Sequence, residues 1–399
     1  MDELEGNELE GNELTERQEE IYKLYYEFNC NVTKLSKHLN ISVKAIESTL
    51  YRAARKGKFI SPDQSSPVAP VGWSSKFKTV QYKGSGEIIQ TWDRISPMEQ
   101  SIEAFLNSIN ERVTPLETII EPPDQKDVQK DIAFVWPCVD MHVGLAAWKP
   151  ETLDKNFNLK ISKKLEEVAT KEMLKKLGYV DHIHLAFLGD STHTDNKSNM
   201  TPTGNNTLDV DSRYTKIIWT CRDIICNKIE RSLEHANTVS VDIVQGNHDP
   251  NTAVCMLTIV DAYYRNEPRV NVNVSPAKFK FFTWGESIVM GCHGDEAKPA
   301  RLAAFLMDYV IQNEIKVKEL YIFKGHIHHK KSESIPGIDE CDGGVIVETF
   351  PTLTAKDGWT AGKAYSSRRS TKGKLFHKKY GLIDDLNINA KYLYCNYDI

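Results

Sequence analysis

The chain of 399 residues has no apolar run long enough to cross a bilayer, so no membrane-spanning helix is expected. It also lacks a positively charged, apolar leader. Residues 1–13 are acidic, which argues against export and leaves the cytoplasm as the expected compartment. Cysteine is scarce and spaced without pairs. Its eight positions, 30, 138, 221, 226, 255, 292, 341 and 395, form no CxxC, and several sit in apolar runs as reduced, buried thiols do, so neither disulfides nor a zinc knuckle is expected. A surplus of positive charge is missing too: the formal net charge of −5 gives no global case for a polyanion partner. What remains, with 40% hydrophobic and 26% charged residues, is a globular chain long enough for two or three domains. Its basic residues are concentrated in two places. Residues 44–58 hold five Lys or Arg against one acid, and residues 363–379 hold seven against none, so any phosphate-backbone contact should come from there.

Taken in order, residues 1–13 repeat Glu-Leu-Glu-Gly-Asn and read as an acidic tail. Residues 14–60 carry a helix-turn-helix pattern, a small all-α domain. Thr15 and Gln18 make a capping box ahead of Ile21, Leu24, Tyr25 and Phe28; Val32, Leu35 and Leu39 mark a second helix closed by Asn40; and Ser42 caps a third, with Val43, Ile46, Leu50 and Ala53 inward. That third helix would present Lys44, Ser48, Arg52 and Arg55 to a DNA groove, the alternative being a helical packing module whose charges are a solvated face. Residues 61–75, rich in proline and serine, read as a linker. Residues 76–130 form a connecting module: 77–82 and 88–92 flank Lys83 to Gly86 as a hairpin, and Pro97 opens a helix.

From residue 131 to 355 short apolar runs alternate with helical patterns at 159–177, 213–233 and 301–313, which indicates an α/β layered domain. Residues 356–399 follow as a basic C-terminal extension, where Trp359, Arg368, Arg369 and several lysines suit a phosphate-tracking surface as well as a disordered loop. Five of the strand-like runs, 132–139, 182–188, 239–244, 287–292 and 319–323, each end in a polar cluster. The clusters are Asp140-Met141-His142, Gly189-Asp190, Gly246-Asn247-His248-Asp249, His293-Gly294-Asp295 and Gly325-His326-Ile327-His328. Loops at the carboxyl ends of such strands converge, so residues far apart in sequence can meet at one point.

Asp140, His142, Asp190, Asn247, His293, His326 and His328 supply two carboxylates, four imidazoles and one amide oxygen, too many ligands for one ion. Two divalent cations bridged by a carboxylate and a hydroxide would use them all, and a mixed oxygen and imidazole set suits manganese, iron, zinc or cobalt better than calcium or magnesium. Each cluster alone is weak evidence, since a single histidine is more often a hydrogen-bonded polar residue than a ligand. Five in the same predicted context form a stronger signal.

Together the clusters resemble the motif series of the calcineurin-like metallophosphoesterases over residues 131–350. The resemblance implies a layered metallophosphoesterase β-sandwich flanked by helices. It implies one metal on Asp140, His142 and His328, another on Asn247, His293 and His326, and Asp190 bridging, with Mn2+ favoured. It further implies that His248 faces the scissile phosphate as general acid or transition-state stabiliser while a metal-bridging hydroxide attacks in line, with Asp249 orienting His248. The polar loop after Asp190 offers His193, Asn196 and Arg213 as substrate contacts, a solvated loop being the equal alternative. This loop, together with an amino-terminal helix-turn-helix, resembles phosphoesterases encoded by bacteriophages, for which the compartment would be the host cytoplasm.

The leading functional expectation is a DNA phosphodiesterase resembling the exonuclease branch of double-strand-break repair. A phosphomonoesterase on the same site and an inactive DNA-binding scaffold are the alternatives. DNA is the expected partner, and a homodimer is left open.

Overall fold

The computed structural model describes residues 32–46, 73–82, 88–97, 113–117, 120–202, 206–327, 331–335, 344–364 and 367–399, with single positions at 17, 20, 21, 24, 25, 49 and 204. The chain divides into two compact units, Met1–Ser101 and Ile102–Ile399.

In the first unit, helix α1 (Val32–Leu39) places Leu35 against Ile21 and Ile46, all three buried, with Leu24, Tyr25, Leu39 and Ile41 around them. The chain turns at Asn40, whose φ of 53° is the left-handed conformation the sequence assigns to it. Ser42 then accepts the amide of Ala45 on its hydroxyl at 3.2 Å, which starts the next helical turn. Val43, expected inward, is exposed, because a first-turn side chain leans back where there is no preceding turn to pack on. Strands β1 (Trp73–Tyr82) and β2 (Ile88–Pro97) pair antiparallel, with Thr79 opposite Trp92, so the expected hairpin is present and longer than its apolar core. Pro97 ends a strand here, facing Trp73. The hairpin turn at 83–87, the helix expected after Pro97, and Leu50, Ser48, Arg52, Ala53 and Arg55 lie outside the described residues.

In the second unit, β3 (Gln129–Cys138), α2 (Lys149–Thr152), α3 (Leu159–Leu177), β4 (Val180–Leu188), α4 (Tyr214–Leu233), β5 (Ala236–Val244), α5 (Pro250–Tyr264) and β6 (Val270–Val272) come first. Next are β7 (Lys280–Trp284), β8 (Ser287–Cys292), α6 (Pro299–Gln312), β9 (Glu319–Lys324), β10 (Lys331–Ile335) and β11 (Val345–Thr349). The last elements are α7 (Gly358–Gly362), β12 (Ser370–His377), β13 (Gly381–Asn389) and α8 (Ala390–Asn396). Two sheets result, in the orders β13-β12-β3-β4-β5-β6 and β10-β11-β9-β8-β7, with β3 to β6 parallel in the first and β11, β9 and β8 parallel in the second.

Alternation along β3 sets the layers. Phe134 and Trp136 enter a core shared with α3, α4 and α5, whereas Val135 and Val139 enter one between the sheets with Val289, Tyr321, Phe323 and Phe376. A third core packs α6 on the outer face of the second sheet through Leu302, Leu306, Met290 and Ile322. The architecture is therefore helices, sheet, sheet, helices: the α/β layering that the strand and helix pattern predicts, in the β-sandwich that the resemblance implies. Each large apolar side chain taken fully inside contributes about 1.5–3 kcal/mol.

Residues 370–389 correct the reading of 356–399 as an extension. Strand β12 pairs with β3, Leu375 opposite Phe134, and β13 completes the edge. The basic residues read as a phosphate-tracking surface or a disordered loop are partly used inside the fold: Lys374 contacts Glu348 and Asp385, Lys378 contacts Asp131 and Asp181, and Arg369 contacts Asp154. Helix α5 was also not anticipated, although Pro250 at its first position and buried Ala253, Met256, Leu257 and Val260 mark it. Among the described residues no helix is long and apolar enough to cross a membrane.

A candidate metal centre at the strand ends

All the clusters leave the carboxyl ends of β3, β4, β5, β8 and β9, and the loops after β3 and β4 run side by side. His142 donates its amide to the Asp190 carbonyl at 2.9 Å, and Val143 donates to Ser191 at 2.9 Å. Asp140, His142, Asp190 and His326 all take left-handed backbone conformations, with φ of 49°, 41°, 51° and 69°. Strain of this kind costs about 1–3 kcal/mol per residue and persists only where the surroundings impose it. Thr352 and Thr354 help to impose it. The Thr352 hydroxyl donates to the Asp140 carbonyl at 2.7 Å, and that of Thr354 lies 2.9 Å and 2.8 Å from the carbonyls of Asp140 and Met141.

Three glycines allow the loops to close on one another. A Cβ on Gly246 would sit 2.1 Å from Asp190 Oδ1, one on Gly189 2.6 Å from the His293 ring, and one on Gly325 2.8 Å from Asp140 Oδ2. The motif glycines are thus required by close approach.

Donor atoms converge as a result. Among the described residues, three groups have their ligand atoms within 4.8 Å of one another: Asp140, His142 and Asp190; Asp190, His293 and His326; and His142, His193 and His248. His293 donates Nδ1–H to the Leu188 carbonyl at 3.0 Å, which turns Nε2 inward. That nitrogen lies 2.9 Å from Asn247 Oδ1, 3.2 Å from Asp190 Oδ2 and 3.3 Å from His326 Nδ1, and His326 Nδ1 lies 3.1 Å from the same Asn247 oxygen. Lone pairs facing each other at these distances need a proton or a cation between them. Two nitrogens bound to one ion at about 2.0–2.1 Å would themselves sit roughly 3 Å apart, so this group fits a divalent cation. Asp190 Oδ2 is also 3.9 Å from His142 Nε2, between the two sets of ligands.

The electrostatics agree with the geometry. Burial opposes charge on His293, but Asp190, Asp140 and the Leu188 carbonyl outweigh it and push its pKa up to about 10. Burial likewise opposes charge on Asp190, yet His293 and His248 hold its carboxyl below the usual range. The carboxylates of the cluster thus favour positive charge at its centre.

His248 is anchored at both ends. Its amide donates to Asp190 Oδ1 at 2.8 Å, and its ring Nδ1 lies 2.9 Å from the His193 carbonyl, which can only accept. The proton is therefore on Nδ1, and Nε2 is the atom free to exchange one.

Asp249, expected to orient His248, does something else. Its fully buried carboxylate accepts the amides of Gly246 at 2.9 Å, Asp190 at 3.1 Å and Thr192 at 3.2 Å, and so clamps two loops. Burial and the nearby Asp190 charge raise its pKa. The orienting group is the His193 carbonyl. The His193 ring, expected as a substrate contact, is buried with Nδ1 3.3 Å from His142 Nδ1.

Asn196 and Arg213 are not brought into the cluster. Asn196 is exposed and accepts the amide of Ser198 in a local turn, and Arg213 is exposed at the start of α4. Lys44 is exposed on the helical turn after Ser42, and His328 lies outside the described residues. Sequence reasoning missed Thr352 and Thr354, for which no motif gives a signal. It also missed Asp195, which accepts the amides of Asn251 and Thr252 and so caps α5; a polar residue ahead of Pro250 would have pointed to it only if the helix had been recognised.

Residues 12–56 match the family model described as Sigma-70, region 4, over the expected helix-turn-helix. No curated protein sequence matches the chain. Among solved structures, Yfce, a phosphoesterase from E. coli, is similar over 63% of this chain and 98% of its own, at 13% identity and a TM-score of 0.30. Vps29 from Entamoeba histolytica complexed with zinc is similar over 64% and 99%, at 12% identity and 0.27. A predicted phosphoesterase from Streptococcus pneumoniae TIGR4 is similar over 65% and 98%, at 11% identity and 0.25. Likenesses this distant carry no argument, and the reading of the site rests on its own donor geometry.

Proposed function

We propose that this chain is a calcineurin-like, divalent-metal-dependent phosphodiesterase that acts on DNA. The observation that carries the reading is the facing lone pairs of Asp190, Asn247, His293 and His326 beside an anchored His248. In this reading Asp140 and His142, with His328, would hold one cation, Asn247, His293 and His326 the other, and Asp190 would lie between them. Manganese is favoured by the mixed oxygen and imidazole donors. When bound, the cations supply Lewis-acid charge that activates water and neutralises phosphoryl oxygens.

The rest of the chemistry belongs to the chain's own residues. His248 presents Nε2 to the leaving oxygen and, when protonated, gives it a proton or stabilises its charge. The His193 carbonyl fixes that ring's tautomer, and Asp249 fixes the backbone from which Asn247 and His248 project. No nucleophilic side chain is needed. DNA as substrate is supported by the Sigma-70 region 4 match and by the basic stretch at 44–58.

The test is hydrolysis of bis-p-nitrophenyl phosphate, p-nitrophenyl phosphate and DNA oligomers by the full chain with Mn2+. Diester and DNA cleavage that is lost in Asp190→Asn and His248→Ala is expected. Activity on the monoester alone, or a metal-loaded protein inert to every diester, would overturn the reading.

A further inference from the structure

Of the three groups of converging donors, that of His142, His193 and His248 is built from imidazoles alone. Neighbouring loops bring the rings together: His193 donates its amide to the Val143 carbonyl at 3.1 Å, and His248 Nδ1 donates to the His193 carbonyl at 2.9 Å. The ring centres form a nearly equilateral triangle with sides of 5.2, 4.8 and 5.3 Å. His142 Nδ1 and His193 Nδ1 face each other at 3.3 Å, and His248, whose Nδ1 is engaged, has Nε2 to offer. Nitrogens bound tetrahedrally to one ion at about 2.0–2.1 Å sit about 3.3 Å apart, with their ring centres about 5 Å apart, so the triangle has the dimensions of a three-histidine metal site.

The donor type selects the ion. Three neutral nitrogens without an oxygen suit zinc, which such sites hold more tightly than manganese. His142 and His193 are buried and His248 half-buried, which leaves the His248 side for entry and for a fourth ligand. His142 then decides which cation is held. A neutral imidazole carries a proton on one nitrogen and a lone pair on the other, so it serves one ion at a time. Through Nε2, 3.9 Å from Asp190 Oδ2, His142 faces the ligands on the Asp140 side; through Nδ1 it faces His193.

We propose that His142, His193 and His248 form a zinc site that competes with the Asp140-side cation for His142. Zinc held there also takes Nε2 of His248, the atom that faces the leaving oxygen in the phosphodiesterase reading. On that reading, which this consequence rests on, the ion is an inhibitor. The binding site itself needs only the three imidazoles.

The test is calorimetric titration of the chelator-stripped full chain with Zn2+ and, separately, with Mn2+. His193→Gln and His248→Gln should each weaken zinc binding at one site by at least about ten-fold and leave manganese affinity within about three-fold of wild type, because neither residue is a manganese ligand in the proposed reading. Zn2+ added to the Mn2+-loaded wild type should release manganese, read from the electron paramagnetic resonance of the freed ion, at a concentration where His193→Gln retains it. Zinc affinity unchanged in both variants, or equal losses for zinc and manganese, would overturn the site. Zinc uptake at this site with no release of manganese would overturn the competition. Hydrolysis is measured apart: a chain that binds zinc in this way but cleaves no diester defeats the phosphodiesterase reading and leaves the zinc site standing.

Discussion

The carboxylate of Asp249 accepts the backbone amide of Asp190 at 3.1 Å, so one buried acid sets the position of another, 59 residues away. The same carboxylate also takes the amides of Gly246 and Thr192. Its removal leaves three buried donors without acceptors, and each such group costs about 1–3 kcal/mol. Asp249→Ala is therefore expected to lower stability by about 3 kcal/mol or more and to weaken metal binding, read by denaturant unfolding and by metal titration. His248→Ala should do the reverse, keeping stability and manganese affinity while diester hydrolysis falls about a hundred- to ten-thousand-fold. If Asp249→Ala kept its stability and lost only rate, Asp249 would belong to the chemistry after all.

The glycines of the clusters give a sharper contrast. On Gly246 a methyl group would lie 2.1 Å from Asp190 Oδ1 and 2.3 Å from its amide nitrogen, so either the carboxylate or the loop must move. Gly362 has nothing within 4 Å of the same position. Gly246→Ala should abolish high-affinity metal binding, measured by calorimetry, whereas Gly362→Ala should change stability by less than about 0.5 kcal/mol. Normal metal uptake by Gly246→Ala would mean that Asp190 is not a ligand.

These contacts mark where sequence reading stops. The strands that end in clusters were legible because burial on both faces writes continuous apolar runs, as in Leu185 to Leu188, and because the ligands follow the runs directly. Helix α3 was legible from Leu165, Val168, Met173 and Leu177. Strand β12 was not, because Lys372 and Lys374 interrupt its pattern, and Lys374 is neutralised by partners that only the fold brings near. The resemblance gives Asp249 an orienting role towards His248, but its carboxylate turns back onto the loops and takes the amides of Gly246, Asp190 and Thr192.

Between the sheets, His182 makes stability depend on acid. Its Nδ1 lies 2.7 Å from Thr238 Oγ1 and its Nε2 2.7 Å from Ser240 Oγ, while His184 bridges Ser240 and Asp242 and the side chains of Phe282 and Trp284 stack on the pair. Burial first, then His184, pushes the pKa of His182 from 6.5 down to about 3. A depressed histidine pKa means that the unfolded chain binds the extra proton first. Stability is thus unaffected by this residue above about pH 6.5 and falls as pH drops from there towards 3. Between pH 7 and pH 5 the loss from His182 is about 2 kcal/mol. Urea unfolding of His182→Gln should show a correspondingly smaller difference between those two pH values than wild type; an identical difference would remove His182 as the source.

Lys374 on β12 reaches across the layers to Glu348 on β11 at 2.8 Å, and also contacts Asp385 at 2.7 Å. The two partners are not equal. The side chains of Lys374 and Glu348 are 6% and 5% exposed, while that of Asp385 is 47% exposed and screened by water. Burial alone would lower the pKa of Lys374, but Asp385 and Glu348 together raise it, so the amine stays charged. Lys374→Met strands the Glu348 carboxylate between the sheets and should cost about 3–5 kcal/mol. Replacing both partners, as Lys374→Met with Glu348→Leu, removes the uncompensated charge and should recover most of that loss, whereas Asp385→Asn alone should cost less than about 1 kcal/mol. Chemical denaturation of wild type, Lys374→Met, Glu348→Leu and the double variant in a double-mutant cycle measures the coupling. A coupling near zero would show that the two sheets are held by apolar packing alone.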